Sequence, residues 1–485
     1  MNPVVLTIGG TDSSGGAGLH QDMRSMQCFN VVQRSVVSLI SAQTQTKLLH
    51  CEAVSDDMFI AQLDAAFCPE PPDAIKLGAL ANDTQVYQLV ALLNQHPDIP
   101  VVWDPVLSTS AGGSLSQLSF DGIATLISRV TVLTPNLPEL EYLTGFALRS
   151  DSDELEAAHQ LLTLDCKHVL VTGGHRNQAS PLCDKLYNQE NTWQFLPHSK
   201  AARTLRGSGC LLASAIASAL ALHYDAEDAI CYAEAVVASG FSVATPVNDD
   251  ICHLIQSPPT PRSVHFPQVI KGLGRKPSAL KFPPLRMTNP GLYPVVDSVE
   301  WLRQLLPLGF DIIQLRIKSV SDGLSEQIRD AIQLAETFST QLFINDHWQL
   351  AIEYNAYGVH LGQDDLETAD LAAIAKAGLR LGISTHGYAE LCRVLPLKPS
   401  YIALGHIFPT RTKAMPSQPQ GTQRLADYQR LCGEIPTVAI GGIALHNIDS
   451  VVATGVSSVA VVTAITESAD VPQAVEALKG RIAHA

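Results

Sequence analysis

Three short clusters concentrate polar chemistry in this sequence: Gln314-Leu315-Arg316-Ile317-Lys318, Asn345-Asp346 and Gln363-Asp364-Asp365. Each closes a short apolar run: Asp311-Ile312-Ile313, Gln341-Leu342-Phe343-Ile344 and Tyr357-Gly358-Val359-His360-Leu361-Gly362. Side chains at one end of neighbouring parallel strands converge in space. Arg316 and Lys318 lie two apart on a strand and so share a face. Two cations under a packed helix layer would be costly, which favours the interior of a barrel. Two cations and two carboxylates gathered there suit a magnesium-bound diphosphate, because a hard Mg²⁺ needs only one or two carboxylates plus phosphate oxygens. Asp346 and Asp365 are the expected ligands. Asp364 is expected to face solvent or cap a helix, and His360 and His386 to be hydrogen-bonded structural or pocket histidines.

A second concentration is Arg206-Gly207-Ser208-Gly209-Cys210-Leu211-Leu212-Ala213, a glycine-rich turn entering a helix. Backbone N–H groups at such a turn point outward, and the helix dipole favours an anion. Cys210 stands at that N-terminus, where a thiol pKa is expected to fall. A partly ionised thiol could take a proton from a substrate hydroxyl while the amides hold phosphate charge. On the turn alone, a small residue packed under a helix is an equally good reading.

The elements that must position these groups alternate between strand and helix. After about residue 290 the strand candidates are Gly291–Val296, Ile312–Leu315, Leu342–Ile344, Gly358–Leu361, Leu379–Ile383, Tyr401–Leu404, Thr437–Ile440 and Ser458–Val462. Amphipathic stretches such as Ser325–Phe338, Asp370–Ala377 and Arg424–Cys432 lie between them. Eight such units predict a (β/α)8 TIM barrel, with a doubly wound open sheet as the competing arrangement. Before the linker, Val4–Ile8, Ala74–Leu77, Val101–Trp103, Val130–Leu133 and His168–Val171 read as strands, and Ala213–Leu222 as a small-residue helix. That half reads as an open α/β/α sandwich. Ser257–Pro290 is dense in proline and glycine and reads as a linker. The expected division is residues 1–256, a linker over 257–290, and residues 291–485.

Composition narrows the class. The 485 residues exceed one hydrophobic core. A net charge of -15 argues against nucleic acid or an acidic membrane as partner. Anionic substrates must then be held by local cations, helix N-termini or metal. Ten cysteines without a CxxC pair read as reduced thiols, and no apolar stretch reaches the roughly 20 residues of a membrane span. A cytoplasmic protein is expected.

Several motifs in order carry a family resemblance for the first half. Gly9–Gly18, Trp103-Asp104-Pro105-Val106, Thr134-Pro135-Asn136-Leu137-Pro138-Glu139, Val171-Thr172-Gly173-Gly174-His175 and Gly207–Cys210 resemble the ribokinase-like vitamin kinases. Within them the similarity is to hydroxymethylpyrimidine/phosphomethylpyrimidine kinase, over about Val4 to Asp250. The resemblance implies a pyrimidine pocket shaped by Gly10, Asp22 and Gln43, and Mg²⁺ and ATP organised by Asp104, Asn136 and Glu139. It makes Gly207, Ser208 and Gly209 the anion hole and Cys210 the catalytic base. It also implies a homodimer through the kinase domain, since related kinases often dimerise. Arg206 stands where the family has histidine, and Thr172 where it has a lysine expected near the phosphates. Arg203 and Arg206 are candidates to compensate that lost cation, and a ligand-binding, weakly or non-catalytic kinase fold is the alternative. Pyridoxal kinase, which usually has aspartate at the position of Cys210, is a fold-level alternative.

For the second half, Gln314–Lys318, Phe343–Asp346, Gly358–Asp365, Gly382–His386, Leu404–Lys413 and Ala439–Ile443 resemble thiamine-phosphate synthase, over about Gly291 to Ile482. The resemblance implies that Arg316 and Lys318 act on the leaving group of a pyrimidine diphosphate. Gln314, Leu315, Ile317, Asn345, Ser384 and Lys413 complete that site. Thr410, Arg411, Thr412, Gly442, Val462 and Thr463 hold thiazole phosphate. Ala414-Met415-Pro416 follows Lys413 where the family often has a second lysine and an aspartate. The two halves together imply a bifunctional enzyme of thiamine biosynthesis. Its substrates would be hydroxymethylpyrimidine and its phosphates, ATP and thiazole phosphate.

Overall fold

A computed structural model describes residues 2–107, 115–173, 182–197, 204–248, 251–253, 262–273, 280–318, 323–411 and 417–483. The chain divides into two compact units, Met1–Arg275 and Lys276–Ala485.

The first unit is built on a ten-stranded sheet. Across it run Gln268–Lys271, Thr192–Leu196, Asp184–Tyr187, His168–Val171, Val132–Leu133, Val101–Trp103, Ala74–Leu77, Val4–Gly10, Val32–Gln43 and Leu48–Ala53. The centre is parallel, from His168–Val171 through Val4–Gly10 to Val32–Gln43. Both edges turn antiparallel. The central strands are buried on both faces, which is why they read as continuous apolar runs. The helix Ser208–Ala221 is rich in alanine and serine, nearly all buried, so it can approach the sheet closely. Gly207 begins it at φ 75°, and a Cβ there would sit 2.5 Å from the Gly16 carbonyl.

The second unit is a closed barrel of eight parallel strands: Gly291–Val296, Ile312–Leu315, Gln341–Asn345, Gly358–Leu361, Arg380–Thr385, Tyr401–Gly405, Thr437–Ile440 and Ser458–Val461. Pairing of the first strand with the last closes it and removes the open-sheet alternative. Its interior is filled by Tyr293, Val295, Ile312, Phe343, Tyr401, Ala403, Val438 and Ala460.

The proline-rich span at 257–290 is not a plain linker. Gln268–Lys271 pairs antiparallel with Thr192–Leu196 as the sheet's edge strand. Leu285 is buried in the barrel's interior cluster. Composition flagged the prolines, but strand pairing and burial claim what lies between them.

Candidate active sites

In the first unit, one cavity of about 1330 Å³ gathers the expected pyrimidine, nucleotide and anion-hole residues: Gly10, Asp22, Gln43, Asp104, Asn136, Glu139 and Gly207 to Cys210. Strand ends supply Gly10, Gln43, Asp104 and Asn136, and helices or their first turns supply the rest. Asp104 follows Val101–Trp103, and its N–H donates to the Leu77 carbonyl at 2.9 Å. Asn136 caps the helix Leu137–Thr144 in a reciprocal capping box. The Glu139 N–H donates to Asn136 Oδ1, and the Asn136 N–H to Glu139 Oε2, both at 2.9 Å.

At the floor of the cavity lies a cation that sequence reasoning missed. Lys76, 1% exposed, sits 2.9 Å from Asp22 and 4.0 Å from Asp104. Asp22 also accepts from Thr7 Oγ1 at 2.8 Å and Ser214 Oγ at 3.0 Å. Its carboxylate is therefore taken up by protein donors, and it serves the pocket by holding Lys76. The available signal was a lone lysine inside the apolar strand Ala74-Ile75-Lys76-Leu77. Burial lowers Lys76's affinity for its proton, but Asp22, Cys210 and Asp104 together push it well above the usual lysine range.

The carboxyls of Asp104 and Glu139 are pushed up by burial, to about 6 and about 8. Asp104 adds to the rise at Glu139. Two desolvated carboxyls on one cavity, each reluctant to be charged alone, fit a divalent cation bound with phosphate oxygens. Cys210 departs from expectation. Burial, with Asp22 and Asp104 adding, pushes the thiol up to about 12, although Lys76 pulls it down. Desolvation outweighs the helix terminus, and Cys210 donates a hydrogen bond to Asp104.

Arg206 does not stand ready for a phosphate. Its guanidinium pairs with Asp12 at 3.2 Å and donates to the Gln45 carbonyl, lying against Gly16. Asp12 also accepts from Ser14 and Ala17 N–H groups, so Arg206 ties the glycine-rich opening loop to the anion-hole turn. Thr172 borders the cavity, bridged to Asn136 and donating its N–H to the Pro135 carbonyl. Gly174, His175 and Arg203 lie outside the described residues.

In the barrel, strand ends again place the groups. Gln314 continues the interior face of Ile312, and its amide reaches Asn345 Oδ1 at 3.5 Å. The strand ends at Leu315, so Arg316 and Lys318 extend beyond it on the loop rather than within it. Arg316 is half-buried and near enough to Asp346 and His360 to act on both electrostatically, while Lys318 is exposed. Leu315 and Ile317 alternate away and are buried, leaving backbone alone for a ligand. The Ile317 carbonyl already contacts His347 Nε2 at 3.1 Å.

Asp346 follows Gln341–Asn345 in the left-handed region at φ 63°. Its carboxyl is pushed up to about 6 by burial, then by the charge of Asp365 and a hydrogen bond shared with it. Asp365 opens a short helix, and its Oδ2 accepts from the Gly362 N–H at 3.0 Å. Two carboxyls close enough to share a proton are a place where a hard cation can replace that proton, with phosphate oxygens completing the sphere. Among the described residues no three metal-binding side chains cluster, so substrate oxygens would be needed. Asp364 is exposed and makes no capping bond, which leaves it facing solvent.

Ser384 Oγ contacts His360 Nε2 at 2.7 Å, and His386 pairs with Glu390 at 2.9 Å. Burial drives His360 down to about 3, so its ring is neutral. Gly442, Val462 and Thr463 follow the adjacent strands Thr437–Ile440 and Ser458–Val461, where barrel enzymes place phosphate. Gly442 lies at φ 64°, and a Cβ there would meet the Pro409 carbonyl at 2.4 Å. That contact brings the Thr410 and Arg411 loop alongside. Thr410 is half-buried and Arg411 exposed; Thr412, Lys413 and Ala414 to Pro416 lie outside the described residues.

An α/β/α unit with a glycine-lined anion turn over buried carboxyls, followed by a TIM barrel with a paired-carboxyl mouth, defines a two-site transferase of phosphorylated small molecules. The phosphomethylpyrimidine kinase family model matches residues 12–253, and the thiamine monophosphate synthase family model residues 287–465. Thiamine-phosphate synthase of Pectobacterium atrosepticum is 59% identical over 193 residues, covering 39% of this chain and 89% of that protein. That of Enterobacter sp. is 55% identical over 190 residues, covering 39% and 90%. Among solved structures, pyridoxal kinase from Staphylococcus aureus with AMP-PCP and pyridoxal superposes with TM-score 0.50 at 25% identity, covering 56% of this chain and 98% of that one. The chain belongs to the thiamine-phosphate synthase family, with a phosphomethylpyrimidine kinase domain preceding the synthase barrel. It is a bifunctional transferase of thiamine biosynthesis, with kinase and synthase activities. Among the described residues no helix is long and apolar enough to cross a membrane.

Proposed function

We propose that the kinase cavity uses ATP and Mg²⁺ to phosphorylate hydroxymethylpyrimidine and then its monophosphate. The gathering of its candidate residues around one cavity supports this reading. Glu139 would hold the metal together with phosphate oxygens, and the metal would supply charge neutralisation for the phosphates, leaving Asp104 to serve Cys210. Gly207 to Gly209 offer backbone N–H groups at a helix N-terminus to the transferred group. Cys210 is protonated in the free protein, so it cannot start as a thiolate. It accepts the substrate hydroxyl proton while passing its own to Asp104, whose carboxyl near 6 can receive it. Lys76 supplies the fixed positive charge beneath the site in place of the cation missing at Thr172.

At the barrel mouth the proposed substrates are the pyrimidine diphosphate and thiazole phosphate. The thiazole nitrogen forms a bond to the pyrimidine methylene carbon as the carbon–oxygen bond to diphosphate breaks, so no protein nucleophile is required. Asp346 and Asp365 would hold Mg²⁺, which stabilises departing phosphate charge. Arg316 and Lys318 meet the leaving group, and Gln314, Asn345 and Ser384 orient it. Gly442, Val462 and Thr463 receive the thiazole phosphate.

The decisive experiment supplies hydroxymethylpyrimidine, ATP, Mg²⁺ and thiazole phosphate and follows thiamine phosphate. Cys210→Ala is expected to abolish product formation, with recovery when pyrimidine diphosphate is added. Asp346→Ala is expected to stay inactive with or without it. Full coupling activity of Asp346→Ala at limiting magnesium would overturn the metal assignment. Kinase product from Cys210→Ala at the wild-type rate would overturn the relay.

A further inference from the structure

Three side chains inside the barrel form a chain of hydrogen bonds that ends on a candidate substrate contact. The Tyr293 and Tyr401 hydroxyls are 2.8 Å apart. Tyr401 Oη is 2.7 Å from His360 Nδ1, and His360 Nε2 is 2.7 Å from Ser384 Oγ. Tyr293, Tyr401 and His360 are buried, and Ser384 at the end is half-exposed.

The protons in this chain can be counted. Each tyrosine carries one hydroxyl proton, and a neutral imidazole carries one N–H. If His360 held its proton on Nδ1, it would donate to Tyr401, and Tyr401 would donate to Tyr293. The Tyr293 proton would then have no acceptor, because Tyr401 is its one hydrogen-bond partner among the described residues. Buried donors are not left without acceptors when another arrangement satisfies them. In the other polarity Tyr293 donates to Tyr401 and Tyr401 to Nδ1, and every proton is used. His360 Nε2–H then donates to Ser384 Oγ.

We propose that Tyr293 and Tyr401 lock His360 in its Nε2–H tautomer, so that Ser384 must point its own hydroxyl proton into the site. The serine becomes a directed donor to a substrate oxygen or another acceptor, because its proton can no longer be spent on His360; one lone pair is taken by Nε2–H and one remains. His360 and Tyr401 are positioning residues: they set the serine's polarity from behind. The functional half of this inference rests on the reading of Ser384 as a diphosphate contact; the tautomer itself does not.

The test reads the two parts separately. The full chain, labelled with ¹⁵N-histidine and free of substrate, is examined by NMR, with the His360 signal identified by its loss in His360→Gln. The expected result is a protonated Nε2 and a bare Nδ1. A protonated Nδ1 overturns the proposal. Tyr293→Phe should leave the tautomer unchanged, since Tyr401 still donates, whereas Tyr401→Phe should release it to a mixture. The reverse order of effects also overturns the proposal. In synthase assays with pyrimidine diphosphate, Tyr401→Phe should lower kcat/KM about tenfold, yet have no further effect in a Ser384→Ala background. Multiplying losses would show a merely structural role for Tyr401 and overturn the positioning. A correct tautomer with undiminished kcat/KM in Ser384→Ala would instead overturn the diphosphate reading of Ser384.

Discussion

Lys76 decides the electrostatics of the kinase cavity. A buried ammonium between two carboxylates is tolerated because each charge has a partner, and removing one partner strands the others. Lys76→Met should therefore destabilise the first unit by about 3–5 kcal/mol, read as a lower denaturant midpoint. Kinase turnover should fall with it while the barrel's synthase rate is kept. His168 makes a second prediction. Burial, and to a lesser degree Lys167, hold it down to about 4 in the folded chain, against 6.5 for the free side chain. The unfolded chain therefore takes up the proton first as pH falls. Stability is full above about pH 6.5 and declines as pH drops toward about 4, by about 3 kcal/mol in all. Unfolding free energies of wild type and His168→Gln over that range should differ in slope, the variant being flatter; parallel curves would refute this account.

Elements tell a similar story of what a sequence discloses. The barrel strands were legible because parallel strands buried on both faces are uninterrupted apolar runs: Gly358–Leu361 and Thr437–Ile440 match the expected bounds. The edge of the first sheet was not legible. Val32–Gln43 mixes buried and exposed positions along 12 residues, and Gln268–Lys271 hides among prolines. At the sites, charged residues after apolar runs were readable because strand ends project them together. Lys76 was not, since its role comes from Asp22 on a helix 54 positions away. Nor could spacing reveal that burial would reverse the expected shift at Cys210. The Gly441-Gly442 turn carries the element-scale prediction. Gly442 combines a positive φ with contact to the Pro409 carbonyl, so Gly442→Ala must move the loop that precedes Arg411. The cost should be about 1–3 kcal/mol in stability. The functional signature should be a raised KM for thiazole phosphate with that for pyrimidine diphosphate nearly unchanged. Equal rises in both would remove Gly442 from the thiazole-phosphate site.

At the scale of the whole chain, each candidate site is built within one of the two units, and each unit has its own core. Separated units should then each keep their reaction, with the diphosphate passing through solution. Where the chain is cut matters, because the segment before the first barrel strand belongs to the barrel. The Pro283 carbonyl accepts from Ser400 Oγ at 2.7 Å, and that of Pro284 from Arg380 Nε at 3.2 Å. The Arg286 N–H donates to Gln341 Oε1 and Tyr357 Oη, both at 2.9 Å, and its guanidinium lies over the Tyr357 ring. These partners sit at the starts of their strands, so residues 283–286 close the end of the barrel opposite the active mouth, with Leu285 filling the interior. A fragment of residues 276–485 should fold and couple pyrimidine diphosphate with thiazole phosphate at the full-length rate. A fragment beginning at Gly291 lacks that closure. Losing buried Leu285 alone is worth about 2–5 kcal/mol, so it should melt several degrees lower or fail to fold. Equal melting temperatures for the two fragments would mean that the closing segment contributes nothing, and that the proline-rich stretch is a linker after all.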